Sequence, residues 1–110
     1  MQIQNERCGA SLVVHVEGRL DSITTPAFEV HCLQAVAQGE RALILDFSTL
    51  DYLSSNGLRS ILVIAKAVAA GGGECVLANA QGIVREVFEL SGFLRMFRFI
   101  DSLEASVAQA

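Results

Sequence analysis

The sequence predicts a single α/β domain: a mixed, mostly parallel sheet with helices packed on it, in the order ββαβαβαβα. Three observations carry that prediction. Short runs rich in β-branched residues alternate with longer segments whose apolar residues recur at helical spacing, the pattern of strands joined by crossover helices. The run "ALILDF", residues 42–47, is apolar without alternation but for the acid near its end, as expected of a central strand covered on both faces. A chain of 110 residues, 52% of them hydrophobic and only one a proline, can bury one core without disulfides or metal.

Residues 2–7 and 11–17 read as two strands around Cys8-Gly9-Ala10, with Gly18 closing the second. Thr24 or Thr25 is expected to cap the first helix. Pro26 falls in its first turn, where a missing N–H costs nothing. Phe28, Cys32, Ala35 and Val36 form the apolar stripe of that helix, and Gly39 stops it. After strand 42–47, Leu58, Ile61, Leu62, Ala65, Val68 and Ala69 set a second helical register, ended by Gly71-Gly72-Gly73. A strand at 75–78 follows. A third helix runs from Gln81 to Ser91 through Ile83, Val84, Val87, Phe88 and Leu90, and Gly92 stops it. The last strand is placed at 97–100, and Asp101 or Ser102 caps a final helix, with Glu104 set for the reciprocal bond.

The stretch "DYLSSNGLRS", residues 51–60, contains Asn56-Gly57, the pair most typical of a β-hairpin turn. The helical register that begins at Leu58 overrides this reading. With Ser54 as N-cap, Ser55, Asn56 and Gly57 form the first helical turn. Their backbone N–H groups lack intrahelical partners, and the positive end of the helix dipole lies there. Gly57 removes a side chain where another backbone or an anion could come close.

Composition excludes several functions. The net charge is −4 and Lys66 is the only lysine, so no basic patch suits a nucleic-acid backbone. No apolar run reaches membrane-span length and the N-terminus resembles no signal peptide, so a cytoplasmic protein without membrane insertion is expected. Cys8, Cys32 and Cys75 form an odd set without C-x-x-C spacing, and the last two read as small core residues. His15 and His31 have no cysteine or acid at ligand spacing, so neither a metal nor a cofactor is expected. Asp21, Asp46 and Asp51 lie near the ends of elements, where capping is the commonest use of aspartate. No serine has a placeable base, and Gly71-Gly72-Gly73 lacks the Lys-Ser/Thr of a phosphate loop, so no catalysis is expected. The second helix is apolar nearly all round. It carries Val63, Ile64 and Ala67 beside its stripe, relieved only by Arg59, Ser60 and Lys66. Its Arg59–Val63–Lys66–Ala70 side is therefore either buried or a partner surface.

"LILDFSTLDYLSSNGLRSILVIAK" resembles the signature segment of the STAS domain, the fold of bacterial anti-sigma factor antagonists. "VEGRLDSITTP" is similar to the family's Gly-x-Leu-Asp turn before the first helix. "GGGECVLANAQGIVREVFELSGFLRMFRFIDSLEASV" is similar to its closing strand–helix–strand–helix. The resemblance implies a non-enzymatic interaction module whose partner is an anti-sigma factor that is also a serine kinase. It also implies regulation by phosphorylation at the start of the second helix. The family's motif reads Asp-Ser-Ser/Thr-Gly, with the acceptor directly before the glycine. Here Asn56 holds the acceptor position and Ser54 replaces the aspartate, which leaves Ser55 as the expected phosphoacceptor and Ser54 as the second choice. Ser54, Ser55, Asn56 and Gly57 would form the switch loop, and Asp21, Arg59, Val63 and Lys66 the partner contacts. The alternatives are an unphosphorylated STAS adaptor subunit of another complex and a small nucleotide-binding domain.

Overall fold

In the computed structural model, which describes residues 1–101, ten elements follow one another. They are β1 (Gln2–Cys8), β2 (Ser11–Leu20), α1 (Thr25–Ala37), β3 (Ala42–Asp46), β4 (Leu50–Leu53), α2 (Ser55–Ala70), β5 (Glu74–Ala78), α3 (Gly82–Leu90), α4 (Phe93–Met96) and β6 (Arg98–Ile100). The expected helix after Asp101 lies outside the described residues.

The sheet runs β1-β2-β3-β5-β6, with β4 also on β2. Only β1 and β2 are antiparallel, since a tight turn at Gly9 joins them while crossover helices link most of the others. The mixed, mostly parallel α/β architecture expected from the sequence is the one observed.

The second strand does not stop at Gly18. That glycine adopts φ +100°, and the register shifts there. Only glycine enters this region freely, so the strand bends and changes partner from β3 to β4. β2 pairs through Leu12–His15 with β3, then through Gly18–Leu20 with the four-residue β4. The bend carries Leu20 to the start of α2, where its carbonyl accepts the Ser54 N–H. β4 and the one-turn α4 were not foreseen, because four residues are too few to show a period.

The helix-facing core collects Leu12, Val14 and Val16 of β2, Leu43 and Leu45 of β3, and Leu77 of β5. Phe28 and Cys32 of α1, Ile61 and Ile64 of α2, and Val84 and Phe88 of α3 pack on them. Phe88 anchors one end, with ring centroids 5.5 Å from Phe47 and from Phe93 and 5.3 Å from Phe99. Val13, Ile44, Val76 and Ala78 make a smaller buried patch on the opposite face. In α1 the predicted stripe is the buried one, although Val36 is only half-buried.

The other two stripes need correction. In α2 the buried residues are Gly57, Ser60, Ile61, Ile64 and Val68, so Ile64 and Ser60 face the core while Ala69 is exposed. In α3 only Val84 and Phe88 are buried; Ile83 and Leu90 stand in solvent. A nine-residue helix at the rim of a sheet has one narrow buried edge, which a count of apolar residues overstates.

The start of the second helix as a candidate docking site

Ser54 caps α2 as its spacing requires. Its backbone is extended, with φ −91° and ψ 172°, and its Oγ accepts the Gly57 N–H at 3.2 Å. Its own N–H donates to the Leu20 carbonyl at 2.9 Å, which fixes the helix start to the end of β2. Gly57 is buried in that junction. A Cβ there would lie 2.6 Å from Leu53 Cδ1 and 3.2 Å from Leu20 Cβ. The close approach anticipated at this glycine is therefore made by neighbouring protein.

Ser55, the first helical residue, is exposed, as are Arg59, Val63, Lys66 and Ala70 along one side of α2. Of the two readings left open for that side, burial is overturned: Val63 is 39% exposed. Asn56 is half-buried, and its Oδ1 accepts from Arg59 Nη2 at 3.3 Å.

Asp21 sits in the turn between β2 and α1. Its Oδ1 accepts the N–H groups of Ile23 and Thr24, both at 3.0 Å, and Arg19 Nε lies 3.7 Å from Oδ2. The bond from the Thr24 amide, reinforced by those from Ile23 and the Thr24 hydroxyl and by Arg19, holds this carboxyl below its usual range against the effect of burial. Asp21 thus does the capping expected of Thr24 or Thr25. Thr24 occupies the N-cap position without a capping bond. Its hydroxyl instead accepts the Asp21 N–H at 3.0 Å and reaches the Arg19 carbonyl at 2.7 Å. Thr25 is buried inside the helix start.

The structure brings Asn56 and Arg59 together with Ser22, Thr25, Pro26 and Glu29 around a cleft of about 350 Å³ between the starts of α1 and α2. Asp21 stands one residue from that cleft. Val63 and Lys66 lie one and two turns further along α2. Arg19 of β2 stacks over Tyr52 of β4 at 4.2 Å, and Ile23, in the turn before α1, is 85% exposed. Sequence reasoning missed this pair because Tyr52 belongs to the unforeseen β4.

It also missed a second polar cluster, on the other sheet face. His15 was expected to lack a nearby acid. Strand register instead sets it opposite Asp46, whose Oδ2 lies 2.5 Å from Nδ1, while Glu6 Oε1 lies 2.8 Å from Nε2. Period-two alternation placed His15 on a face, but only the strand order reveals its neighbour. Asp51 lies exposed within β4. Among the described residues no group of three or more His, Cys, Asp or Glu is placed to hold a metal ion, and no helix is long and apolar enough to cross a membrane.

The fold and this surface define a small α/β domain with an exposed, capped helix start beside a polar cleft. The chain belongs to the STAS domain family, whose model matches residues 2–110. It is 38% identical to a Bordetella bronchiseptica protein assigned as an anti-sigma factor antagonist, BtrV, over 98% of this chain and 93% of the relative. It is 24% identical to an anti-sigma F factor antagonist of Paenibacillus polymyxa, over 93% and 88% of the two chains. Among solved structures, an anti-sigma factor antagonist from Mycobacterium paratuberculosis superposes with TM-score 0.87 at 26% identity, covering 98% of this chain and 92% of that one. The antagonist SpoIIAA in its unphosphorylated form superposes with TM-score 0.75 at 22% identity, covering 98% and 96%, which is a likeness of fold.

Proposed function

We propose that this protein is an anti-sigma factor antagonist: a non-enzymatic module that captures an anti-sigma factor with serine-kinase activity through the start and exposed side of α2. The observation that carries the reading is the exposed row Ser55–Arg59–Val63–Lys66, beginning at a capped helix start next to the Asp21 turn. An apolar valine between two cations, held on a rigid helix, suits a partner that brings an apolar contact and carboxylates. The names of the relatives support an anti-sigma factor as the partner.

Ser55 is the phosphoacceptor in this reading. Its hydroxyl lies at the positive end of the helix dipole, where a phosphate is tolerated by the module itself yet confronts a docked partner with about −1.5 to −2 new charge. Asn56 favours a second reading, an adaptor without phosphorylation, because the residue directly before Gly57 has no hydroxyl and is engaged by Arg59.

The test is calorimetric titration of wild type, Ser55→Asp and Val63→Asp against the candidate anti-sigma factor. The docking reading expects Val63→Asp to weaken binding by at least tenfold, about 1.4 kcal/mol. The switch reading adds a similar loss for Ser55→Asp. Full affinity in both variants rejects this surface.

A further inference from the structure

A histidine whose two ring nitrogens each face a carboxylate can satisfy both only as imidazolium. Carboxylates accept and do not donate, and a neutral imidazole has a single N–H. His15 is in that position: Nδ1 lies 2.5 Å from Asp46 Oδ2 and Nε2 lies 2.8 Å from Glu6 Oε1.

The two acids differ in what else holds them. The Asp46 side chain is 5% exposed. Its Oδ1 accepts from Asn79 Nδ2 at 2.9 Å and from the Ser48 N–H at 3.1 Å, and its Oδ2 accepts from Ser48 Oγ at 3.1 Å. Glu6 is 57% exposed, on an edge strand at the end of the sheet order. It sits diagonal to His15, whose direct cross-strand partner is Gln4.

We propose that His15 is a proton-dependent clasp that fastens the edge strand β1 to the sheet through Glu6. When the ring loses its proton, the remaining N–H stays with the buried, fully bonded Asp46. A lone pair on Nε2 then faces the Glu6 carboxylate, and the link to β1 opens. The titratable groups facing His15 are Glu6 on β1, with Cys8 beyond it on the same face, Glu17 along β2 and Asp46 on β3. Asp101 shares a cavity with Ser48 and Asn79, both hydrogen-bond partners of Asp46. Of these, Glu6 and Asp46 favour the protonated ring.

Burial alone would pull the imidazole down. The bonds to Glu6 and Asp46, with the charges behind them, outweigh it and hold the ring above its ordinary value. The clasp's contribution is therefore complete below the unfolded value of about 6.5 and is lost as pH rises through the folded one. This device lies on the opposite sheet face from the α2 docking surface and does not depend on the function proposed for it.

The experiment is ¹⁵N NMR of the imidazole rings, combined with native-state exchange of the β1 amides across pH. His15→Gln assigns the His15 resonances. The expected result is a His15 ring of imidazolium type at neutral pH, titrating above about 6.5. Protection of Gln4 and Glu6, taken relative to Leu45, falls through the same midpoint. Glu6→Gln, an exposed change that keeps the strand pairing, moves the midpoint down and removes the matched loss of protection. A neutral His15 ring at pH 6, or β1 protection with the same pH profile in wild type and Glu6→Gln, overturns the proposal.

Discussion

The hydroxyl of Ser54 is held by the Gly57 amide, whereas Ser55, next along the chain, stands exposed at the helix start. A kinase must draw its acceptor into an active site, so the free hydroxyl is the better substrate and the capping one is costly to withdraw. Ser54→Ala should lose about 1 kcal/mol of stability, as N-cap deletions do. Ser55→Ala should stay within about 0.5 kcal/mol of wild type, as expected of a surface change. Urea denaturation separates the two. Phosphopeptide mapping with the cognate kinase should then place any label at Ser55. It should also find Asn56→Ser to be a better substrate, because a hydroxyl returns to the position before Gly57. Label at Ser54 would contradict the assignment. Ser60 behaves differently from both. It is 1% exposed and its Oγ is buried without a hydrogen-bond partner. Ser60→Ala removes an unsatisfied group and gains helix propensity, so it should stabilise the fold by about 1 kcal/mol.

At the scale of elements, α2 presents two kinds of surface, and substitutions should separate them. Val63→Asp falls on the exposed side and should leave the unfolding midpoint nearly unchanged while weakening capture. Global unfolding by this change would return that side to the core. The turn that ends α2 permits a sharper test. A Cβ on Gly73 would sit 2.0 Å from the Arg41 carbonyl oxygen, a backbone atom that a side-chain rotation cannot move away. Gly73→Ala should therefore cost about 1–3 kcal/mol or more, in the range of overpacking, with the loss seen as a lower denaturant midpoint. Gly57→Ala meets chiefly the movable end of Leu53 and gains helix propensity, so it should cost less than Gly73→Ala. The same contrast explains what could be read in the sequence. α1 and α2 were legible because each spans several turns, with Pro26 or the Ser54 cap at its start and a glycine stop after its end. The exposure of Arg59, Val63 and Lys66 was not decided by periodicity, since valine fits either side of such a helix. The Asp21 turn and the Ser54 cap were legible because their chemistry is local. The His15–Asp46 pair was not, because it depends on which strands are neighbours.

For the molecule as a whole, strand order was the missing quantity, and the buried thiols offer a way to observe the core that this order builds. Cys32 on α1 and Cys75 on β5 meet in one core although 43 positions separate them in the chain. Burial pushes both thiols up to about 12, with a smaller contribution to Cys32 from Cys75 and to Cys75 from Glu74. At pH 8 only about one such group in ten thousand is thiolate, the form that reacts. Cys8 is half-buried on the edge strand, and its thiol is also raised, by burial first and then by Glu6. It should nevertheless be the first of the three to react with a thiol reagent, because the other two must be uncovered first. We therefore expect one thiol per native chain to be modified in an early phase. Cys32 and Cys75 should follow together, at a rate that rises with urea in step with global unfolding. Their common rate is the informative result: α1 carries one and β5 the other, so only loss of the shared core exposes both. Mass spectrometry of partially labelled chains checks this directly. Chains carrying label at Cys8 and Cys32 but not at Cys75 would show that α1 detaches from the sheet as a separate unit.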